Sequence, residues 1–202
     1  MSSKTFVSNL ALSHLGIGSE IQSFTSDSSK EAKACRQFFD IALDEMLRDF
    51  VWPFCTKVAT LALVEENPTS EYRYAYSYPV DCLDIRKILS GIRNDTRQSR
   101  VHYRVVAGSS GNLIYTDAEL AEIEYTSKVG QDPARWFPDF TMAFSYRLAA
   151  YIAPRVTAGD PFKVGQTTMQ MFQLSIKKAA ANARNEEQAE QQPDSEFINA
   201  RN

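Results

Sequence analysis

SSKEAKACRQFFDIALDEMLRDFVWPFCTKVATLALV, residues Ser28 to Val64, changes its apolar period once, and the change decides the fold class. In the first part Ala32, Cys35, Phe39, Ala42, Leu43, Met46 and Phe50 recur at three and four, which marks one face of a long amphipathic helix. Ser28-Ser29-Lys30-Glu31 has the spacing of a capping box, with Ser28 accepting from an early backbone N–H and Glu31 reaching back. Trp52-Pro53 ends the helix, because proline disfavours helical geometry at the residue before it. Beyond Cys55 the period is two: Val58, Thr60, Ala62 and Val64 alternate with Lys57, Ala59, Leu61 and Leu63. With so little polarity on either side, this strand is predicted to be covered on both faces.

Upstream, Phe6, Val7, Leu10, Ala11 and His14 predict a helix over 4–15, stopped by a left-handed turn at Gly16. Downstream, Tyr72, Tyr74, Tyr76 and Tyr78 line one face of a strand. Short apolar runs at Leu83, Ile85 and Ile88, at Val101, Tyr103 and Val105, at Leu113 to Tyr115, and at Ala121, Ile123 and Tyr125 follow. Gly108-Ser109-Ser110-Gly111-Asn112 reads as a hairpin loop between two of them. Helical spacing returns after Asp132-Pro133 and Pro138, through Phe140, Ala143, Phe144, Leu148, Tyr151, Ile152 and Val156 to Ala158-Gly159. Asp160-Pro161 is an N-cap followed by proline in the first turn, and the pattern runs to about Gln192. That last helix carries two apolar stripes, Val164, Met171 and Leu174 on one and Met169, Phe172 and Ile176 on the other. An arc so wide is hard to hide against a single partner helix.

The expectation is an α+β chain: a bundle of about four helices (1–54 and 131–192), an inserted antiparallel β module of five or six strands (55–130), and an extended C-terminal tail, PDSEFINARN (193–202), anchored only by Phe197 and Ile198. With 202 residues, 44% of them apolar, the chain can form a proper core, and 23% charged residues with 8 Gly and 8 Pro argue against disorder or coiled coil as an overall description. No run approaches the roughly 18 apolar residues a bilayer needs. The polar interruptions in MSSKTFVSNLALSHLG do not fit a secretory signal, so folding in a cytoplasm is expected.

Chemistry is sparse. Cys35, Cys55 and Cys82 have neither CxxC nor Cys/His spacing, which points away from a disulfide framework or a zinc site. His14 and His102 are the two histidines, too few for a histidine-based triad or metal cluster, and no phosphate loop, dinucleotide fingerprint or nucleophile elbow is present. Glu65-Glu66, the strand pair Glu122 and Glu124, and Glu186, Glu187 and Glu190 are candidate paired carboxylates, but none sits where one pKa would rise as a general acid requires. Solvated acidic face is the plainer reading. Arg93, Arg97, Arg100 and Arg104 form one basic cluster, suited to phosphate or to an acidic partner. Against 25 acidic residues the 22 basic ones argue that grasping nucleic acid is not the main task. The tyrosine strand lacks the basic frame of a base-stacking platform, so core or interface packing suits it better.

The ordered set Asn9 to Gly16 (N-x-A-L-x-x-L-G), Ile21 to Phe24 (I-x-S-F), Glu31 to Phe50 (E-A-x-A-C-R-x-F-F-D-x-A-L-D-E-M-L-R-D-F), Trp52-Pro53-Phe54, the Y-x-Y-x-Y-P strand and Pro138 resembles the head-to-tail adaptors of short-tailed bacteriophages, the tail tubular protein A family. The resemblance covers nearly the whole chain, and its motifs are structural rather than catalytic. It implies a virion protein, assembled in the host cytoplasm, that forms a ring of twelve copies between the portal protein and the tail nozzle protein, tail tubular protein B, and extends the channel through which DNA passes. It implies no enzyme and no cofactor or metal. Phe197, Ile198 and Arg201 would form the portal interface, and Tyr72, Tyr74, Tyr76, Tyr78, Ser109, Ser110, Met169 and Phe172 a subunit or nozzle interface. A tail-associated peptidoglycan hydrolase using Glu122 or Glu124, and a nucleic-acid-binding module using the arginine cluster, are the competing classes.

Overall fold

A computed structural model describes residues 2–92, 99–109 and 111–185. Helix α1, Lys4–His14, begins at Ser3, whose hydroxyl accepts from the Phe6 N–H. It ends at Gly16, whose φ of +73° supplies the left-handed turn, so that the Ile17 N–H reaches back to the Leu12 carbonyl. Asn9 then anchors the following loop with both ends of its amide, donating to the Ile21 carbonyl at 3.0 Å and accepting from the Ile21 N–H at 2.8 Å. Helix α2, Lys30–Asp49, is capped by Ser29 rather than by Ser28: the Asp27 carboxylate takes the Ser29 N–H at 2.8 Å, and the Ser29 hydroxyl accepts from Ala32. The chain thus enters the helix one residue later than the capping-box spacing predicts.

Helix α3, Pro138–Val156, is the centre of the bundle, with Phe140, Phe144, Leu148 and Ile152 fully buried. It has contacts with α1, α2 and α4. Helix α4, Pro161–Asn185, starts as the Asp160-Pro161 pair predicts, with the Asp160 carboxylate accepting from the Lys163 N–H at 3.1 Å. Pro154 strips the Ala150 carbonyl of its intrahelical donor, and Gly165 of α4 closes on that spot, where a Cβ would stand 3.5 Å from the Ala150 oxygen. The core beneath is aromatic. Trp52 meets Phe140 edge-on at 4.8 Å, Trp136 meets Phe140 and Phe144 at 5.1 Å each, and Phe39 meets Phe144 at 5.0 Å. Both indoles satisfy their N–H, Trp52 on the Met46 carbonyl and Trp136 on that of Gly130.

The seven strands described all lie between α2 and α3: β1 (Thr56–Thr60), β2 (Leu63–Glu66), β3 (Tyr74–Ser77), β4 (Cys82–Ile88), β5 (Tyr103–Gly108), β6 (Gly111–Thr116) and β7 (Glu122–Ser127). They form two antiparallel sheets, β1-β7-β4 and β2-β3-β6-β5, around a small core of Leu61, Tyr76, Ile88, Ile114, Ile123 and Tyr125. The stretch 57–64 is therefore not one strand covered on both faces. The chain changes sheets at Leu61-Ala62, where the Leu61 N–H bonds the Ala121 carbonyl and the Ala62 carbonyl accepts from Ser77. Leu61 is buried at this crossing, while Val58, Leu63 and Val64 remain at least half exposed. Between β5 and β6, Gly108 pairs with Gly111, so the strands turn back at the predicted place.

Two features join the module to the bundle. Arg86 on β4 donates through Nη2 to the Leu47 carbonyl at 3.1 Å and the Phe50 carbonyl at 2.9 Å, covering orphan carbonyls at the end of α2, and through Nε to the Thr126 hydroxyl. The short 3-10 turns Pro53–Cys55 and Lys128–Gln131 bring the entering and leaving chain side by side. Their contact requires glycine, since a Cβ on Gly130 would stand 2.5 Å from that of Cys55.

Candidate functional site

The expected interface residues fall into three groups. Phe197, Ile198 and Arg201 lie outside the described residues, as do Ser110, Arg93, Arg97, Glu186, Glu187 and Glu190. Tyr76 and Phe172 are occupied inside the chain. Tyr76 is 2% exposed in the β-module core, and its hydroxyl donates to the Ala118 carbonyl at 2.9 Å. Phe172 is 8% exposed because the Arg147 guanidinium, 5.0 Å from the ring centroid, covers it. Neither side chain is presented to a partner, which corrects the assignment of both to an outer interface. Met169 packs half-buried against the bundle, and Tyr72, Tyr74 and Tyr78 are likewise half-buried. Tyr72 faces Tyr115 at 6.1 Å, and Ser109 is exposed at the hairpin tip.

Arg147 is the main buried charge of the bundle. It donates through Nη1 to Asp49 at 2.9 Å and through Nη2 to Glu45 at 2.6 Å, and the Tyr151 hydroxyl donates to the same Glu45 oxygen. The Tyr151 hydroxyl, together with Arg147, holds the Glu45 carboxyl below the usual carboxylate range. The cluster clamps α2, α3 and α4 together. A comparable polar hub ties the entry of β4 to the sheet: Asp81 accepts from Lys57 at 2.8 Å, from Ser127 at 2.8 Å and from Tyr125 at 3.0 Å. Led by Lys57, these donors bring the Asp81 carboxyl down to about 2. In sequence Arg86, Arg147 and Asp81 gave no functional signal, because the partners that give each its role lie on other elements.

Candidate reactive groups are held in structural roles. Burial pushes the thiols of Cys35 to about 11 and Cys55 to about 12, and raises Cys82, so all three sit as buried protonated thiols. Glu122 accepts from the Thr60 hydroxyl at 3.4 Å, and Glu124 lies 3.5 Å from Lys87. Among the described residues no group of three or more His, Cys, Asp or Glu is placed to hold a metal ion, and no helix is long and apolar enough to cross a membrane.

His14 joins α1 to α3. Its ring stacks on Tyr146 at 3.9 Å, and Nε2 lies 3.0 Å from the Ser145 hydroxyl, whose own proton goes to the Met142 carbonyl at 2.7 Å. With that hydroxyl proton committed, Nε2 is the donor of the His14–Ser145 bond. Burial lowers its pKa below 6.5. A lowered value means the unfolded chain binds the proton more tightly, so stability present above pH 6.5 is lost as the pH falls through that value toward the folded pKa. Urea midpoints at pH 7.5 and 5.5 are expected to drop more in the natural protein than in His14→Gln. Equal drops would place the acid sensitivity elsewhere.

What the molecule offers a partner is surface. Phe162 (78% exposed), Leu174 (65%) and Met171 (46%) stand out from α4, which packs mainly against α3, beside Lys163, Lys177 and Lys178. Of the two expected stripes, Met169, Phe172 and Ile176 pack on the bundle, whereas Met171 and Leu174 do not. At the end of the bundle a hollow of about 270 Å³ opens between Phe137, Pro138, Asn182 and Ala183, with Trp52 at its floor. No protein-family model and no curated protein matches the chain.

Proposed function

We propose that this chain is a head-to-tail adaptor of the short-tailed phage type, a structural protein that joins the portal to the tail nozzle as a ring and extends the DNA channel. Support comes from the resemblance of its ordered motifs and from an α+β architecture in which four helices frame two small sheets. The observation that carries the reading is the uncovered apolar surface of α4, immediately ahead of the segment that bears Phe197 and Ile198. Met171 and Leu174, three residues apart on α4, stand uncovered side by side, and contiguous exposed apolar side chains mark contact surfaces. In a virion, this surface and the C-terminal segment would be covered by portal and neighbouring subunits. A net charge of −3 would keep passing phosphate from sticking to the channel wall.

Mixing the purified chain with the portal protein of the same genome is expected to yield one copy per portal subunit in a coaxial ring, read from the mass of the complex and from negative-stain images. Deleting residues 193–202 should abolish that association and leave the circular dichroism spectrum unchanged. Several weak tails become a firm attachment through effective concentration, so loss should be near complete rather than graded. Unchanged binding by the truncated chain would refute the tail assignment, and no association of the full chain with intact portal would refute the adaptor reading.

A further inference from the structure

The four-stranded sheet β2-β3-β6-β5 ends in two strands that have no outer partner among the described residues. An open edge presents unpaired N–H and C=O groups to any extended chain that fits. The two edges differ in charge. All four residues of β2, Leu63 to Glu66, are exposed, and they end in Glu65-Glu66. Strand β5 has Arg104 and Val105 exposed, with exposed Arg100 just before it. Neither Glu65, Glu66 nor Arg104 has an ion-pair partner among the described residues.

We propose that β2 of one copy pairs with β5 of the next, so that the sheet runs on across the subunit boundary. The strand directions permit it. Each neighbouring pair in the sheet is antiparallel, so β2 and β5 run in opposite senses, and a second copy laid at the edge meets it antiparallel. The ladder Glu65–Ala75–Tyr115–Arg104 places Glu65 and Arg104 on one face of the sheet, so a continued sheet sets Glu65 opposite Arg104 and Val64 opposite Val105. This alignment sets acid against base and apolar against apolar, and a one-residue slip to Glu66 would oppose side chains of different faces. The symmetric alternatives do neither, because β2 on β2 crowds four glutamates and β5 on β5 brings arginines together.

An edge that prefers the opposite edge makes a heterologous contact, and such contacts generate rings when the rotation closes. Closure into a ring rests on the adaptor reading, whereas the choice of edges rests on this sheet alone. The exposed valines and Leu63, which would invite unspecific aggregation on a lone edge, acquire a use: they are covered in the assembled state and flanked by charges that reject wrong partners.

The test is the mass of the full chain, free at high concentration and bound to its portal, for Glu65→Lys, Arg104→Glu and the double variant. Both side chains are exposed, so each variant should keep the natural circular dichroism spectrum. Each single variant is expected to lose the ring, at least tenfold in association constant, and the double variant to regain it. Persistence of the ring in both single variants would overturn the edge pairing and leave the adaptor reading standing. Loss in Glu65→Lys alone would also overturn it, by showing that β2 meets a surface other than β5. A natural protein that stays monomeric with and without portal would overturn both.

Discussion

Replacing Trp52 by alanine is expected to lower the unfolding free energy by about 3–5 kcal/mol, the range for removing a large aromatic from a packed core. The side chain is 1% exposed, lies edge-on to Phe140 and Phe50, and spends its N–H on the Met46 carbonyl. It also sits where α2 hands over to β1, so the cavity would open between the bundle and the base of the β module. Domains of this size are stable by roughly 5–15 kcal/mol, and a loss on that scale takes a large share. Guanidinium unfolding followed by far-ultraviolet dichroism checks it. Trp52→Phe keeps much of the volume and loses the hydrogen bond, so its cost should lie well below that of alanine. A cost under about 1 kcal/mol for Trp52→Ala would mean that the aromatic cluster is not the centre of the fold.

Arg86→Met is expected to cost about 2–3 kcal/mol, since it removes charge-assisted hydrogen bonds and leaves carbonyls of α2 without a donor. Methionine keeps the apolar stem, which separates loss of the fork from loss of packing. Because Arg86 joins β4 to the last turn of α2, hydrogen exchange should accelerate at that turn and along β4 before it changes in α3. Arg86→Lys should recover only part of the loss, because one ammonium cannot reach the Leu47 and Phe50 carbonyls and the Thr126 hydroxyl in a fixed plane. Full recovery by lysine would show that charge alone, and not the fork, matters there.

How much of this was legible in the chain differs by element. The apolar face from Ala32 to Met46 is buried along its length, Gly16 makes the left-handed turn, Asp160 caps α4 and Ser109 stands at the hairpin tip. Each depends on spacing within a few residues. Ser28 and Ser29 have the same chemistry, and only the Asp27 carboxylate on the Ser29 N–H selects between them. The alternation from 57 to 64 is the same whether one sheet or two receives it, so the change of sheet at Leu61-Ala62 had no local sign. Met171 and Phe172 are adjacent apolar residues on one helix, yet Arg147 from α3 covers only the second.

Of the candidate surface, the sequence supplied the residue types and the tertiary structure decided which are presented. By itself the sequence determined the α+β class, the order of helices around a β insertion and most helix ends, because periodicity and caps act over one or two turns. Only the fold decided that Tyr76 and Phe172 are internal, that Arg86 joins module to bundle, and that β2 and β5, of opposite charge, are the two edges of one sheet among the described residues. Those outcomes depend on pairings between residues that lie on different elements. In such pairings the interaction free energy belongs to both partners and is written in neither segment alone.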